Sequence, residues 1–232
     1  MALVKFGNGV SDIRGSIAGN VYSKNRYGSY IRNKVVPVNP QSSAQQAIRN
    51  IMAEIVSRWQ AIVTQVQREA WEVYAASIEV TNKLGDSIKL TGFNHYVRSN
   101  TARRNIGFTP IDAGPTTLAL PSADQAFAIV PSSAAQSIEV TFDDAAAWCS
   151  EDSAAMSLHQ GIPQPGSRQF FDGRFRKFAR LFGDSGSPIT SPKTVAVDFP
   201  IAVGQKQWAK GRILRADGRL SEFFRDDAII AS

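Results

Sequence analysis

The stretch "FTPIDAGPTTLALPSADQ", residues 108–125, decides how the chain divides. Before it, apolar residues recur three and four apart; after it, they recur at every second position. A change of period across a run rich in Pro, Gly and Thr separates helices from strands. The reading is therefore α+β and multi-domain, with a linker over 108–122.

Upstream of the linker, "NPQSSAQQ" places Pro40 before a helix entry, with Ser42 and Gln45 spaced as a capping box. Ile48, Ile51, Met52, Ile55, Trp59, Ile62 and Val63 then mark one helical face. Thr64 and Gln67 repeat the capping spacing, which predicts a break and a second helix carrying Ala70, Trp71, Tyr74 and Ile78. "VTNKLGDSIKL" reads as a small polar hairpin. "TGFNHYVRSNTARRN" reads as a third helix, capped by Thr91 and packing through Phe93, Tyr96 and Val97. Residues 42–107 are thus expected to be a three-helix module.

Downstream, "SIEVTFD", "AAMSLHQG", "RQFFDGRFRKFARLFG" and "TVAVDFP" read as short strands. "QWAKGRILRADGRLSEFF" closes the chain as a hairpin around Asp217-Gly218, a strong two-residue turn signal. Several short strands with regular turns predict an antiparallel β-sandwich over 123–232.

The opening segment, 1–41, has no helical period. It reads as an extended, glycine-rich arm with strands around Val21-Tyr22 and Ser29–Val36. Two strands alone are marginal in water, so the arm is expected to pack on something else. Within "YSKNRYGSYIRNK", Tyr22, Lys24, Arg26, Tyr27, Tyr30, Arg32 and Lys34 are the candidate interface residues. Interleaved bases and aromatics suit either single-stranded nucleic acid or an acidic protein face.

The charge is uneven along these segments. The 232 residues carry +6 in all, with +8 on residues 1–111 and −2 on 112–232. A basic half and a nearly neutral half point to different partners. The single cysteine, Cys149, excludes an internal disulfide, and no apolar run reaches membrane-spanning length.

Chemistry-bearing motifs do not accumulate. "GDSGSP", 183–188, has the look of a serine-protease nucleophile loop, but the chain offers only His95 and His159 as bases. Neither lies in a suitable pattern. "GNGVSDIRG" lacks the Lys-Ser/Thr of a phosphate loop, and no His/Cys/Asp/Glu spacing suits a metal. Cys149, beside Trp148, reads as a buried small hydrophobe. The expectation is a protein without cofactor, metal or small-molecule substrate, and not an enzyme.

Residues 6–107 also carry a resemblance. "RGSIAGNVYSKNRYGSYIRNKVVPVNPQSSAQQAIRN", "QREAWEVYA" and "LTGFNHYVRSN" together resemble a family of phage and prophage virion-associated proteins. The matching positions are Gly15, Ser16, Gly19, Gly28, Tyr30, Arg32, Pro37, Asn39, Pro40, Gln45, Trp71, Gly92, Asn94 and Asn100. The second half looks, more loosely, like a fibronectin type III or immunoglobulin-like domain. The resemblance implies a virion structural protein of head, neck or tail, assembled in the bacterial host's cytoplasm. Its implied partners are other virion proteins and copies of itself, with no membrane. A nucleic-acid-associated packaging or head-completion protein is the alternative.

Overall fold

The structure is a computed structural model that describes residues 2–3, 7–25, 28–81 and 87–231. Its fold is α+β, with three helices among the described residues and several antiparallel sheets. The chain divides into two compact units, residues 1–43 and residues 44–232.

The first unit is one sheet of short strands: β1 (Ala2–Leu3), β2 (Gly15–Ile17), β3 (Asn20–Asn25) and β4 (Gly28–Asn33). They lie in the order β1-β4-β3-β2, all antiparallel. The strand expected at Ser29–Val36 is thus an inner strand that ends at Asn33, held by β3 along its length and by β1 at Tyr30 and Ile31. β2 lies at the sheet edge. None of residues 7–24 and 29–43 is buried.

The second unit begins with α1 (Ser43–Ala61) and α2 (Gln65–Ser77). The break between them is made by the reciprocal cap read in the sequence: the Gln67 amide donates to Thr64 Oγ1, and the Thr64 amide donates to Gln67 Oε1 at 2.9 Å. β5 (Val80–Thr81) and β6 (Ser87–Ile88) form the small hairpin, whose tip lies outside the described residues. α3 (Gly92–Ile106) is capped by Thr91 and ends on Gly107, whose φ of 112° is open to glycine at little strain. The helices close on Ile55, Val63, Trp71, Tyr74, Ile78 and Tyr96.

Seven longer strands follow: β7 (Ala128–Ser132), β8 (Ser137–Thr141), β9 (Ala155–Gly161), β11 (Phe175–Phe182), β12 (Lys193–Ala196), β13 (Gln205–Leu214) and β14 (Phe224–Ile229). The short β10 (Gln164–Pro165) pairs with the start of β13, and a 3-10 turn occupies Ala147–Ser150. One sheet runs β12-β8-β7; the other runs β11-β9-β13-β14. Both contribute to one core: Ile129, Ile138 and Val140 from the first meet Met156, Leu158, Leu181, Ala209, Ile213 and Phe224 from the second, with Trp148 beside them.

The stretch read as a linker, 108–122, is held along the helices. Arg58 donates twice to the Asp112 carboxylate at 2.7 Å, and Trp71 Nε1 donates to the Asp112 carbonyl at 3.0 Å. Asn100 closes a two-way bond with the Ile111 backbone at 2.6 and 2.9 Å. Beyond it, Ile106 packs with Ala155, Leu214 and Leu220, so α3 and the strands share a core. Arg103 completes this join. Its Nε donates to Thr109 O, and its Nη1 to Ser153 O, Arg215 O and Ala216 O. The buried guanidinium is surrounded by carbonyls from both sides and ties the end of α3 to the strands.

Candidate interaction surfaces

Five of the seven arm residues singled out in the sequence can be placed; Arg26 and Tyr27 lie outside the described residues. Tyr22 stands opposite Ile31 and Lys24 opposite Ser29. Tyr30 stands opposite Ser23, and Arg32 opposite Val21. Directly opposed residues share a face and successive residues alternate. Tyr22 and Lys24 therefore occupy one face, and Tyr30 and Arg32 the other. Lys34 follows the end of β4, where its amide donates to Gly19 O at 2.7 Å. The arm residues do not form one patch. What distinguishes the unit is its exposure: Ile17 on the edge strand is 55% exposed, and Val35, Val36 and Val38 are exposed at 77% or more.

The motifs weighed for chemistry fold into ordinary structure. In "GDSGSP", Ser185 Oγ donates to Asp152 Oδ2 and its amide to Asp152 Oδ1, both at 2.8 Å. Those bonds hold Asp152 below the usual carboxylate range. The two histidines sit elsewhere, His95 against Tyr74 and His159 against Phe223. Burial, with three nearby carboxylates, pushes the Cys149 thiol up to about 12. A thiol so held is a packing group at neutral pH.

A second surface was not singled out in the sequence. On the face of β11-β9-β13-β14 turned away from the core, Lys177 stands opposite His159, His159 opposite Lys210, and Lys210 opposite Arg225. One row of the sheet thus carries four nitrogenous side chains across four strands. The neighbouring row sets Arg180 opposite Ser157 and Ser157 opposite Arg212. Aromatic rings lie between these groups. Lys210 Nζ is 4.3 Å from the Phe223 ring and 4.6 Å from Phe175. The Arg212 guanidinium is 4.7 Å from Phe223, and that of Arg225 is 5.6 Å from Phe170. Gly161, in the row below, makes room for the Phe171 ring, which a Cβ there would approach to 2.6 Å.

Some of these cations already have work. Lys177 Nζ donates to Asn105 O and Oδ1, and Arg180 Nη1 donates to Ile106 O at 2.7 Å. Both thereby satisfy the carbonyl end of α3, where positive charge is favoured. Arg212 Nε donates to Ser221 O, but its Nη2 has no partner among the described residues. Lys210 and Arg225 make no hydrogen bond or ion pair among the described residues. The like charges press on one another. Burial and the charges of Lys210, Lys177 and Arg212 push His159 down to about 4. Burial and Arg180 push Lys177 down to about 8. Burial and Arg98 push Arg212 down to about 10.

The signal for this surface was in the sequence. "RQFFDGRFRKFAR", 168–180, interleaves five basic residues with four phenylalanines. Summing charge over 112–232 concealed it, because the balancing carboxylates lie elsewhere: Asp143, Asp144 and Asp152 are all exposed on other loops. Compared with protein-family models, curated proteins and solved structures, the chain matches none.

Proposed function

We propose that this chain is a structural component of a bacteriophage particle, in the head, neck or tail. Residues 1–43 attach it to a neighbouring chain, and residues 123–232 present a sandwich of the fibronectin type III or immunoglobulin-like kind. The observation that carries this reading is that no side chain of residues 7–24 and 29–43 is buried. Ordering a residue costs about 1–2 kcal/mol, and a sheet with no buried apolar face recovers little of that alone. Such a unit gains its order from a partner. The edge strand β2 offers the side that is unpaired among the described residues, with Ile17 exposed, for strand addition. Tyr22 and Tyr30 supply contact area, one on each face, while Lys24, Arg32 and Lys34 meet acidic surface.

The strand order supports the sandwich. The first, second and fifth long strands share one sheet, and the third, fourth, sixth and seventh share the other. Immunoglobulin-like domains divide in the same manner, apart from the sheet that takes the fourth strand. A buried glutamine pair closes one end: Gln160 accepts from the amides of Asp198 and Phe199, and its Nε2 donates to Gln207 Oε1. The particle as the place of action is what the resemblance of residues 6–107 to virion-associated proteins implies.

The test is incorporation. Particles are purified from a host supplying full-length protein, the form lacking residues 1–43, or Ile17→Lys. The full-length chain is expected in the particle, and both variants are expected to stay folded and remain outside it. A lysine on an edge strand blocks strand addition without disturbing the sheet's own pairs. Normal incorporation of the truncated form would place the attachment in residues 44–232 instead.

A further inference from the structure

We propose that the outer face of β11-β9-β13-β14 is a binding surface for single-stranded nucleic acid, with Lys210 and Arg225 meeting phosphates and Phe223 and Phe170 offering rings to bases. This goes beyond the structural role and stands on different residues. Lys210 and Arg225 are adjacent in register and have no anionic or carbonyl partner among the described residues. Carboxylates near the row are mostly engaged: Asp227 pairs with Lys206 at 2.6 Å and Glu222 with Arg98 at 3.4 Å. Asp172 alone pulls on Lys210, against the combined push of burial and Arg212.

Crowding cations on one sheet face opposes folding through their repulsion, and a bound polyanion relieves that repulsion. The rings decide which polyanion. Phe223 is 44% exposed and Phe170 is 60% exposed, each beside a cation. Base stacking on exposed rings beside a basic track is how single strands are held without sequence preference. An acidic protein face would use the charges and leave the rings wet, and duplex DNA, whose bases are already stacked, would likewise gain nothing from them.

The experiment is fluorescence anisotropy of a labelled oligothymidylate of about 12 nucleotides, a length within known single-strand site sizes, titrated with the full chain at several salt concentrations. Binding is expected to weaken steeply with salt. Lys210→Gln combined with Arg225→Gln removes two phosphate contacts, so the slope of log K on log salt should shrink by about 1.4. Phe223→Ala should weaken binding by roughly tenfold, the loss expected for one stacked base. Lys24→Gln with Arg32→Gln, on the N-terminal sheet, should leave binding unchanged. Thermal melting of each variant reports folding, and Arg225→Gln alone, at an exposed position without hydrogen bonds, serves as the variant least able to disturb the fold.

Four results would overturn the proposal. They are no binding at low salt, loss of binding only in the Lys24/Arg32 variant, equal affinity for a duplex of the same length, and equally effective competition by polyglutamate. The last would assign the face to an acidic protein.

Discussion

Arg103 is buried to 3% exposure and has no carboxylate in salt-bridge range among the described residues. Burial lowers its pKa, with only distant help from Asp217 and Glu151. Its charge is met by carbonyls from α3's exit, the 153 turn and the 215–216 turn. Arg103→Met keeps the apolar stem and strips those carbonyls of their donor. Because each unsatisfied buried group costs about 1–3 kcal/mol, the expected loss is roughly 2–4 kcal/mol. Urea unfolding should show a lower midpoint with an unchanged m-value. His159 supplies a second residue-scale test. Its folded pKa lies near 4, below the ordinary 6.5. The unfolded chain therefore takes up the proton first, and the neutral ring's contribution is lost as pH falls from about 6.5 towards 4. Lysines 177 and 210 and Arg212 face the ring and oppose its protonation throughout this window. His159→Leu should lack this loss, so that between these pH values wild type falls relative to the variant by on the order of 2–3 kcal/mol.

Among the elements, those with a strong local signal were legible. The α1–α2 break, the Thr91 cap and the turn at Asp217 follow from side chains that bond to backbone within a few residues, and sequence spacing records such bonds directly. β7 was missed, since "AIVPS" contains Pro131; its place at a sheet edge is what tolerates the proline. The stretch 108–122 shows the opposite failure. Its prolines and Gly114 have the composition of a linker, but Arg58, Trp71, Tyr96 and Asn100 reach it from positions 11 to 54 residues away, which no local pattern displays. The basic sheet face is legible only in part, because "RQFFDGRFRKFAR" marks the basic and aromatic residues of a single strand and its approach. It is assembled from four strands, and only register brings Lys177, His159, Lys210 and Arg225 into line. Limited proteolysis of the full chain tests the clamped stretch. Trypsin and a broad protease should cut first within 34–42, where the chain is extended and exposed, and spare 108–122. Early cleavage at 108–122 would mean that the hydrogen bonds to Asp112 and Ile111 are not maintained in solution.

At the scale of the whole molecule, the two units differ in what holds them. Residues 44–232 contain three apolar clusters and a set of buried polar bonds, whereas the N-terminal unit has a sheet and no buried side chain over residues 7–24 and 29–43. Opening free energies within one chain run from near zero to the global stability, and backbone hydrogen bonds on exposed strands lie at the low end. The central claim is that the N-terminal sheet gains its order from another chain. Hydrogen exchange on the purified full-length chain, free and again in assembled particles, measures this directly. In the free chain, amides of β2, β3 and β4 should exchange with little protection while those of β9 and β13 are strongly protected; in particles, the N-terminal strands should become protected as well. Strong protection of β2–β4 in the free monomer, unchanged on assembly, would contradict the account.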